Sequence, residues 1–213
     1  MRSQISFREG HYYHIYNKGV NGCNIFIEKD NYRFFLQKFS YYCYPVIDTY
    51  TFCLLRNHFH FFIRIRPKQE QQELFEYLKK NYQSADYFIL KKDAGLLKPS
   101  KQLANLFNSY AQAFNRKYGR KGNLFIKPLQ RELVDHESYF PRLVCYIHQN
   151  PLHHKFLSDF RKYPYSSYST YLSKKFTHIN RGETLQWFGG LDNFISAHDE
   201  LEQDLVDKLT FER

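Results

Sequence analysis

The stretch that decides the fold is residues 57–66, which read Asn57-His58-Phe59-His60-Phe61-Phe62-Ile63-Arg64-Ile65-Arg66. Side chains two residues apart on a β-strand point to the same face of the sheet. One face of this predicted strand therefore carries the two histidines, one phenylalanine and the two arginines, whereas the other face is wholly apolar. The segment predicts a strand that packs its apolar face on a core and presents two imidazoles side by side on the opposite face.

The residues on either side of this strand predict the rest of a sheet. A β-rich segment, 46–55, precedes it, and Arg56-Asn57 offers the turn of a hairpin. Further out, the patterns predict strands over 11–17 and 124–126 and helices over 30–42, 69–81 and 101–118. The order strand, helix, strand, strand, helix, strand predicts an α+β fold. Its form would be a ferredoxin-like split βαβ antiparallel sheet with helices on one face plus extra C-terminal helices.

The length and the cysteines set limits on the kind of protein. A chain of 213 residues suits one compact domain with appended helices, which we expect to divide into a domain over 1–172 and a helical C-terminal tail over 173–213. The four cysteines form no C-x-x-C pair and predict buried free thiols, as in a reducing cytosol. No apolar run is long enough to span a bilayer. We therefore expect a cytoplasmic protein without a membrane partner.

The charge favours a polyanionic partner. Lysine and arginine number 31 against 21 aspartates and glutamates, so the net charge is +10 at pH 7 with histidine neutral. Excess positive charge promotes binding to phosphates by releasing counterions. The 19 tyrosines and 21 phenylalanines can fill a core or stack on nucleobases, and composition alone does not divide them between these roles.

A second informative segment is Cys145-Tyr146-Ile147-His148-Gln149-Asn150-Pro151. Apolar residues at helical spacing predict a helix that Asp135 begins and Pro151 ends. Tyr146 and Asn150 are four residues apart, so they lie on one helix face. The phenol of Tyr146 offers a nucleophile for a phosphodiester, and the amide oxygen of Asn150 offers a metal ligand.

Each of these features also has a plainer interpretation. A bare His-x-His pair more often consists of incidental histidines on a polar strand face than of metal ligands. Tyr146 is one tyrosine among 19, and an asparagine before a proline is common at the end of a helix. The combination of the two segments carries the functional hypothesis, because neutral imidazoles bind divalent metals and two of them need further ligands.

The chain resembles the HUH-type transposases that use a single catalytic tyrosine, and among them it is most similar to the REP-associated tyrosine transposases. Three segments carry the resemblance, and they follow the family's order. Weaker matches are Phe114-Asn115-Arg116-Lys117-Tyr118 together with Tyr110, and Ser166-Ser167-Tyr168. Together the matches cover most of the first 170 residues. The three segments are Tyr13-His14-Ile15-Tyr16-Asn17-Lys18-Gly19, Asn57-His58-Phe59-His60 and Tyr146-Ile147-His148-Gln149-Asn150-Pro151.

The resemblance implies a function and a set of roles. The domain over 1–172 would cleave single-stranded DNA at hairpins, typically imperfect palindromes, and transfer the strand through a 5′-phosphotyrosine intermediate. Tyr146 matches the nucleophile, and His58 and His60 match the ligands of a divalent metal, Mg or Mn. Asn150 matches the position where relatives place a third amide ligand, often glutamine. Some relatives pair their active sites in a dimer and others act alone, which leaves a homodimer open.

Basic residues are the candidates for DNA contacts. The sequence also departs from the family after Gly122, where Lys127-Pro128-Leu129-Gln130 replaces the usual basic-aromatic pair. Each basic residue taken singly is as readily a solvated surface charge. The predicted contacts are Lys18, Arg64, Arg116, Lys117, Arg120 and Lys121.

Two other functions remain open at this stage. A non-catalytic single-stranded nucleic-acid-binding protein would bind tightly without forming a covalent adduct. A metal-dependent phosphodiesterase acting on RNA would use water as the nucleophile, and its products would carry no protein. The sequence does not indicate which hairpin is recognised or whether the protein acts on its own gene or on dispersed repeats.

Overall fold

The computed structural model describes residues 5–83, 86, 87, 97–154 and 156–200. Four strands form one sheet, and seven α-helices surround it within these ranges. The strands are β1 (Tyr12–Lys18), β2 (Ile47–Leu54), β3 (His58–Ile65) and β4 (Gln130–Val134). The helices are α1 (Lys29–Cys43), α2 (Lys68–Asn81), α3 (Pro99–Lys117), α4 (Phe140–His153), α5 (Tyr168–Tyr171), α6 (Arg181–Phe188) and α7 (Leu191–Asp199).

The sheet has the predicted split βαβ topology. Its strand order is β2-β3-β1-β4, and all neighbouring strands are antiparallel. The central pair sets the register of the site, because Lys18 of β1 lies opposite His58 of β3. On the other side of β1, His14 lies opposite Glu132 of the edge strand β4. The ferredoxin-like arrangement predicted from the order of elements is therefore confirmed.

The two faces of the sheet are buried by different helices. The face with Phe59 and Phe61 packs against α1 and α3, the helices of the split βαβ unit. The opposite face, with Phe62, is covered by α4 and the C-terminal helices. The apolar face of β3 thus follows the predicted alternation. The histidine face is also buried, which excludes the plainer interpretation of a solvated polar strand face.

Two element boundaries differ from the prediction. The fourth strand is β4 rather than 124–126, where Phe125 makes only a single bridge to Gly19 and is buried among core residues. The tyrosine helix begins at Phe140 after a 3₁₀ turn, and it continues through Pro151 to His153. Proline is tolerated there because the helix ends within its next turn and few hydrogen bonds are lost.

The C-terminal helices α6 and α7 pack on the same core as the sheet. Glu183 of α6 accepts hydrogen bonds from the hydroxyls of Tyr12 and Tyr50, both at 2.9 Å. The ring of Trp187 packs 4.7 Å from that of Tyr50. Since Tyr12 and Tyr50 belong to β1 and β2, this carboxylate links the tail to two strands. The division at residue 172 remains a prediction about folding units.

We expect Glu183→Leu to lower the free energy of unfolding by about 1–3 kcal/mol, because two tyrosine hydroxyls would lose their acceptor. Glu183→Gln keeps an oxygen in the same place, so its loss should be less than half as large. Urea unfolding followed by circular dichroism measures both. Identical curves for Glu183→Leu and the wild type would show that these two hydrogen bonds do not contribute to stability.

None of the helices in the described ranges combines the length and the apolar character needed to cross a bilayer.

Candidate metal and nucleophile site

The histidine pair lies in the middle of the molecule, between the sheet and α4. His58 is 8% exposed and His60 is fully buried. Their rings meet edge to face with centroids 5.3 Å apart. This closeness follows from the strand period, which puts residues two apart on one face. The predicted side-by-side pair is therefore present in the fold.

Helix α4 brings the amide of Asn150 to the histidine pair. The side-chain nitrogen of Asn150 donates to the backbone oxygen of Tyr146 at 3.1 Å. The amide oxygen, Oδ1, takes no part in this hydrogen bond. Neither Asn150 Oδ1 nor His58 Nε2 has a hydrogen-bond partner among the described residues, although both atoms are buried. A buried polar atom without a partner costs about 1–3 kcal/mol. Two such atoms, both metal-ligand types, fit a site that binds a cation.

The protonation states suit metal binding. Burial lowers the pKa of His58 to about 3, and repulsion from His154 and Lys18 acts in the same direction. The nearby Asn150 amide acts in the opposite direction and raises the pKa, which places it next to the His58 ring. Burial also holds the pKa of His60 well below its ordinary value. Both imidazoles are therefore neutral at physiological pH, the form that offers a lone pair to a metal.

Tyr146 lies on the same face of α4, one turn before Asn150. Its side chain is 3% exposed. The ring stands edge-on to those of His60, at 6.0 Å, and His14, at 6.3 Å. The ring of His153 stacks on that of Tyr146 with centroids 5.9 Å apart. The candidate nucleophile is thus enclosed by imidazoles and adjoins the proposed ligands.

The polar residues next to Asn150 face elsewhere. His148 Nδ1 lies 2.8 Å from His198 Nε2 of α7, and its other nitrogen lies 2.7 Å from the hydroxyl of Thr51. Gln149 donates to the backbone oxygen of His198. These contacts hold α4 between the sheet and α7. Of the three polar side chains at 148–150, Asn150 alone adjoins the histidine pair.

Sequence reasoning missed three residues near the site. His14 Nε2 lies 3.0 Å from His60 Nδ1, and the ring of His154 is 4.5 Å from that of His58. Glu132 Oε2 lies 4.0 Å from His14 Nδ1. His14 stands in a segment that carried the family resemblance, so its strand position was readable. Its partners were not, because they depend on the pairing of β1 with β3 and β4.

The ligand set is unlike a cluster of histidines and carboxylates. Within the part of the chain that the structure describes, no three His, Cys, Asp or Glu side chains form a group that could hold a metal. The residues that fit are two imidazoles and one amide oxygen. Such a set leaves room for water and phosphate oxygens, which Mg²⁺ and Mn²⁺ prefer as ligands.

The predicted DNA-binding residues fall into two groups, those whose charge is exposed and those that pair with a neighbouring side chain. Lys18 is exposed at the His58 end of the site, and Arg116 and Lys121 are exposed near the end of α3. Lys117 forms an ion pair with Glu28, and Arg120 donates to the side chain of Asn115.

Arg64 lies differently from the expectation. Its guanidinium donates to Asp48 and to Glu70, in both cases at 2.6 Å. The side chain is 21% exposed. Two carboxylates offset its charge, so Arg64 offers little to a phosphate, and we leave it out of the proposed DNA interface.

Comparison with solved structures finds nine similar chains. A REP-associated tyrosine transposase bound to a REP hairpin matches with a TM-score of 0.58 and 11% identity, over 82% of this chain and 86% of that chain. A bacterial tRNA(His) guanylyltransferase-like protein in complex with GTP gives 0.40 and 13%, over 83% of this chain and 73% of that chain. No family model and no curated protein matches by sequence. The chain thus has a fold like that of the REP-associated tyrosine transposase.

Proposed function

We propose that this protein cleaves and rejoins single-stranded DNA beside hairpins, with Tyr146 as the nucleophile and a divalent metal, Mg or Mn, held by His58, His60 and Asn150. One observation carries the proposal. Two buried metal-ligand atoms, His58 Nε2 and Asn150 Oδ1, lack hydrogen-bond partners among the described residues, and the Asn150 amide lies next to the His58 ring, one helical turn after a tyrosine. The fold likeness adds a scaffold on which such chemistry is known, without assigning it to these residues.

The chain's own residues would act as follows. A bound divalent cation would supply Lewis-acid stabilisation of charge on the scissile phosphate. The oxygen of Tyr146 attacks phosphorus and the bond from phosphorus to the 3′-oxygen breaks; in the net reaction the phenol gives up its proton and the leaving 3′-oxygen gains one. The product is a 5′-phosphate esterified to Tyr146 and a strand that ends in a 3′-hydroxyl. Attack by another 3′-hydroxyl reverses the reaction and joins a new strand, so no ATP is needed.

An adduct assay tests the proposal. Hairpin-containing oligonucleotides from the DNA that flanks the gene are incubated with the protein and Mg²⁺ or Mn²⁺ and separated on a denaturing gel. Two labels distinguish the products. A strand labelled on the 3′ side of the cut should remain covalently attached to protein, whereas one labelled on the 5′ side should be released. Release of both fragments without attachment would indicate water as the nucleophile and contradict the proposal.

A second candidate function is a non-catalytic single-stranded nucleic-acid-binding protein. The observation that favours it is the burial of Tyr146, whose side chain is only 3% exposed. A nucleophile must reach its phosphate, so catalysis requires DNA binding to uncover this tyrosine. Tight binding with no adduct, across several hairpins and both metals, would support this function instead.

The basic residues near the end of α3 should contribute unequally to DNA affinity. Lys121→Ala should weaken hairpin binding and reduce the slope of log Kd against log salt by about 0.7–0.9, the value for one phosphate contact. Lys117→Ala should change the slope less, because Glu28 already pairs with that amine. Fluorescence anisotropy at several salt concentrations measures both. An unchanged slope for Lys121→Ala would remove this residue from the interface.

A further inference from the structure

His14 and Glu132 form a chain of contacts that ends at the histidine pair. His14 Nε2 lies 3.0 Å from His60 Nδ1, and His14 Nδ1 lies 4.0 Å from Glu132 Oε2. Both rings are buried, with His14 7% exposed and His60 fully buried. The proposed ligands and nucleophile do not account for either His14 or Glu132.

Only one hydrogen can lie between the two rings. At 3.0 Å, two N–H groups facing each other would clash and two lone pairs would repel, so one nitrogen donates and the other accepts. If His14 Nε2 donates, His60 carries its hydrogen on Nε2 and cannot bind a metal through that atom. If His60 Nδ1 donates, its Nε2 holds a lone pair.

The carboxylate of Glu132 decides between these two arrangements. A separation of 4.0 Å is too long for a hydrogen bond, so Glu132 acts on His14 through its charge. A negative charge attracts an N–H group and repels a lone pair, which favours hydrogen on His14 Nδ1. His14 Nε2 must then accept, and His60 Nδ1 must donate. The Tyr16 hydroxyl donates to the other oxygen, Glu132 Oε1, at 3.0 Å.

We propose that Glu132 and His14 are positioning residues that fix His60 in the tautomer with its lone pair on Nε2. The inference rests on the proposed function to the extent that it concerns the same metal site. Residues behind a ligating histidine set its tautomer and orientation in metal sites, and their loss weakens metal binding by about 10–100-fold. Here the residues behind the ligating histidine are a carboxylate and a second imidazole rather than a carboxylate alone.

The test reads the tautomers directly in the full-length protein without metal or DNA. Long-range ¹H–¹⁵N NMR distinguishes protonated from unprotonated ring nitrogens, and His60→Asn assigns the His60 signals. We expect both His14 and His60 to carry hydrogen on Nδ1, which is the minor form of free histidine. A wild-type His60 with hydrogen on Nε2 would overturn the proposal.

Three variants separate positioning from mere packing. His14→Leu should shift His60 toward the Nε2–H form and lower Mn²⁺ affinity about 10–100-fold. His14→Gln can place an amide oxygen where Nε2 stands, so it should retain both properties. Glu132→Gln alters a 44% exposed side chain, leaves the core intact and should shift both tautomers partly. Unchanged tautomers and unchanged Mn²⁺ affinity in His14→Leu and Glu132→Gln would overturn the proposal.

Tyr16→Phe is the matched control. It removes the hydroxyl that binds Glu132 but keeps the carboxylate charge and the aromatic ring, so the tautomer of His60 should stay as in the wild type. The test also distinguishes the two proposals of function and positioning. The expected tautomers, with their shift in His14→Leu but no Mn²⁺ binding by any variant or the wild type, would support the positioning role and contradict the metal-dependent function.

Discussion

Tyr146→Phe should abolish the covalent adduct and lower strand cleavage by about 10⁴-fold or more, because the attacking oxygen is lost. Phenylalanine keeps the ring that contacts those of His60 and His153. The packing around the ring should therefore be preserved. The affinity for the hairpin should remain within about twofold of the wild type, because the variant keeps the interactions that bind the ground state. A denaturing gel measures the adduct, and fluorescence anisotropy measures the affinity.

A neighbouring tyrosine provides the matched control for this variant. The ring of Tyr16 lies 5.8 Å from that of His60, as close as the ring of Tyr146, but it stands on β1 rather than α4. Tyr16→Phe should retain the adduct. Mapping of the labelled peptide should place the attached strand on the segment with Tyr146. An adduct that persists in Tyr146→Phe and disappears in Tyr16→Phe would reverse the assignment.

Asn150→Leu should weaken Mn²⁺ binding by at least about 100-fold, more than is typical for a residue behind the ligands. The leucine has nearly the same shape as asparagine but lacks the oxygen. Asn150 Oδ1 is buried without a hydrogen-bond partner in the described structure, whereas Nδ2 donates to the backbone oxygen of Tyr146. Removal of the first atom stabilises and loss of the second destabilises, so the free energy of unfolding should stay within about 1 kcal/mol of the wild type. A loss of metal binding without a loss of stability is the signature of a ligand rather than a packing residue.

Two further variants complete the metal experiment, in which metal-free protein is titrated with Mn²⁺ and free ion is followed by electron paramagnetic resonance. Asn150→Asp keeps an oxygen and should bind at least as tightly as the wild type. Gln149→Leu should leave the affinity unchanged, since that amide is bonded to the backbone of His198. Wild-type affinity in Asn150→Leu would exclude this residue from the ligands.

The alternation in β3 and the order of elements were sufficient to predict the sheet. Each element is recognised from the local period of its apolar residues, and the order follows from the elements. The fourth strand was misplaced for a physical reason. Residues 124–126 are apolar and pack against the core as a loop. Strand β4 reads Gln-Arg-Glu-Leu-Val, begins with polar residues and lies at the edge of the sheet. An edge strand needs no continuous apolar run, so its pattern is weak.

The candidate site was predictable only in part. The spacing of Tyr146 and Asn150 depends on one helix, which the sequence shows. The roles of His14 and Glu132 depend on strand pairing across more than 40 and 100 residues, which no local period encodes. The ion pairs of Arg64 likewise join β3 to β2 and α2, so the pairing of its charge with two carboxylates could not be foreseen.

The placement of Tyr146 and Asn150 on α4 has a consequence for control of the site. A helix is stiff over a single turn, so the separation of these two side chains is set by the pitch of about 5.4 Å. Sliding or tilting of α4 against β3 would move the proposed nucleophile, Tyr146, and the proposed ligand, Asn150, together and away from the histidine pair. The proposed activity would then respond to any contact that shifts this helix, including the contacts that His148 and Gln149 make with α7.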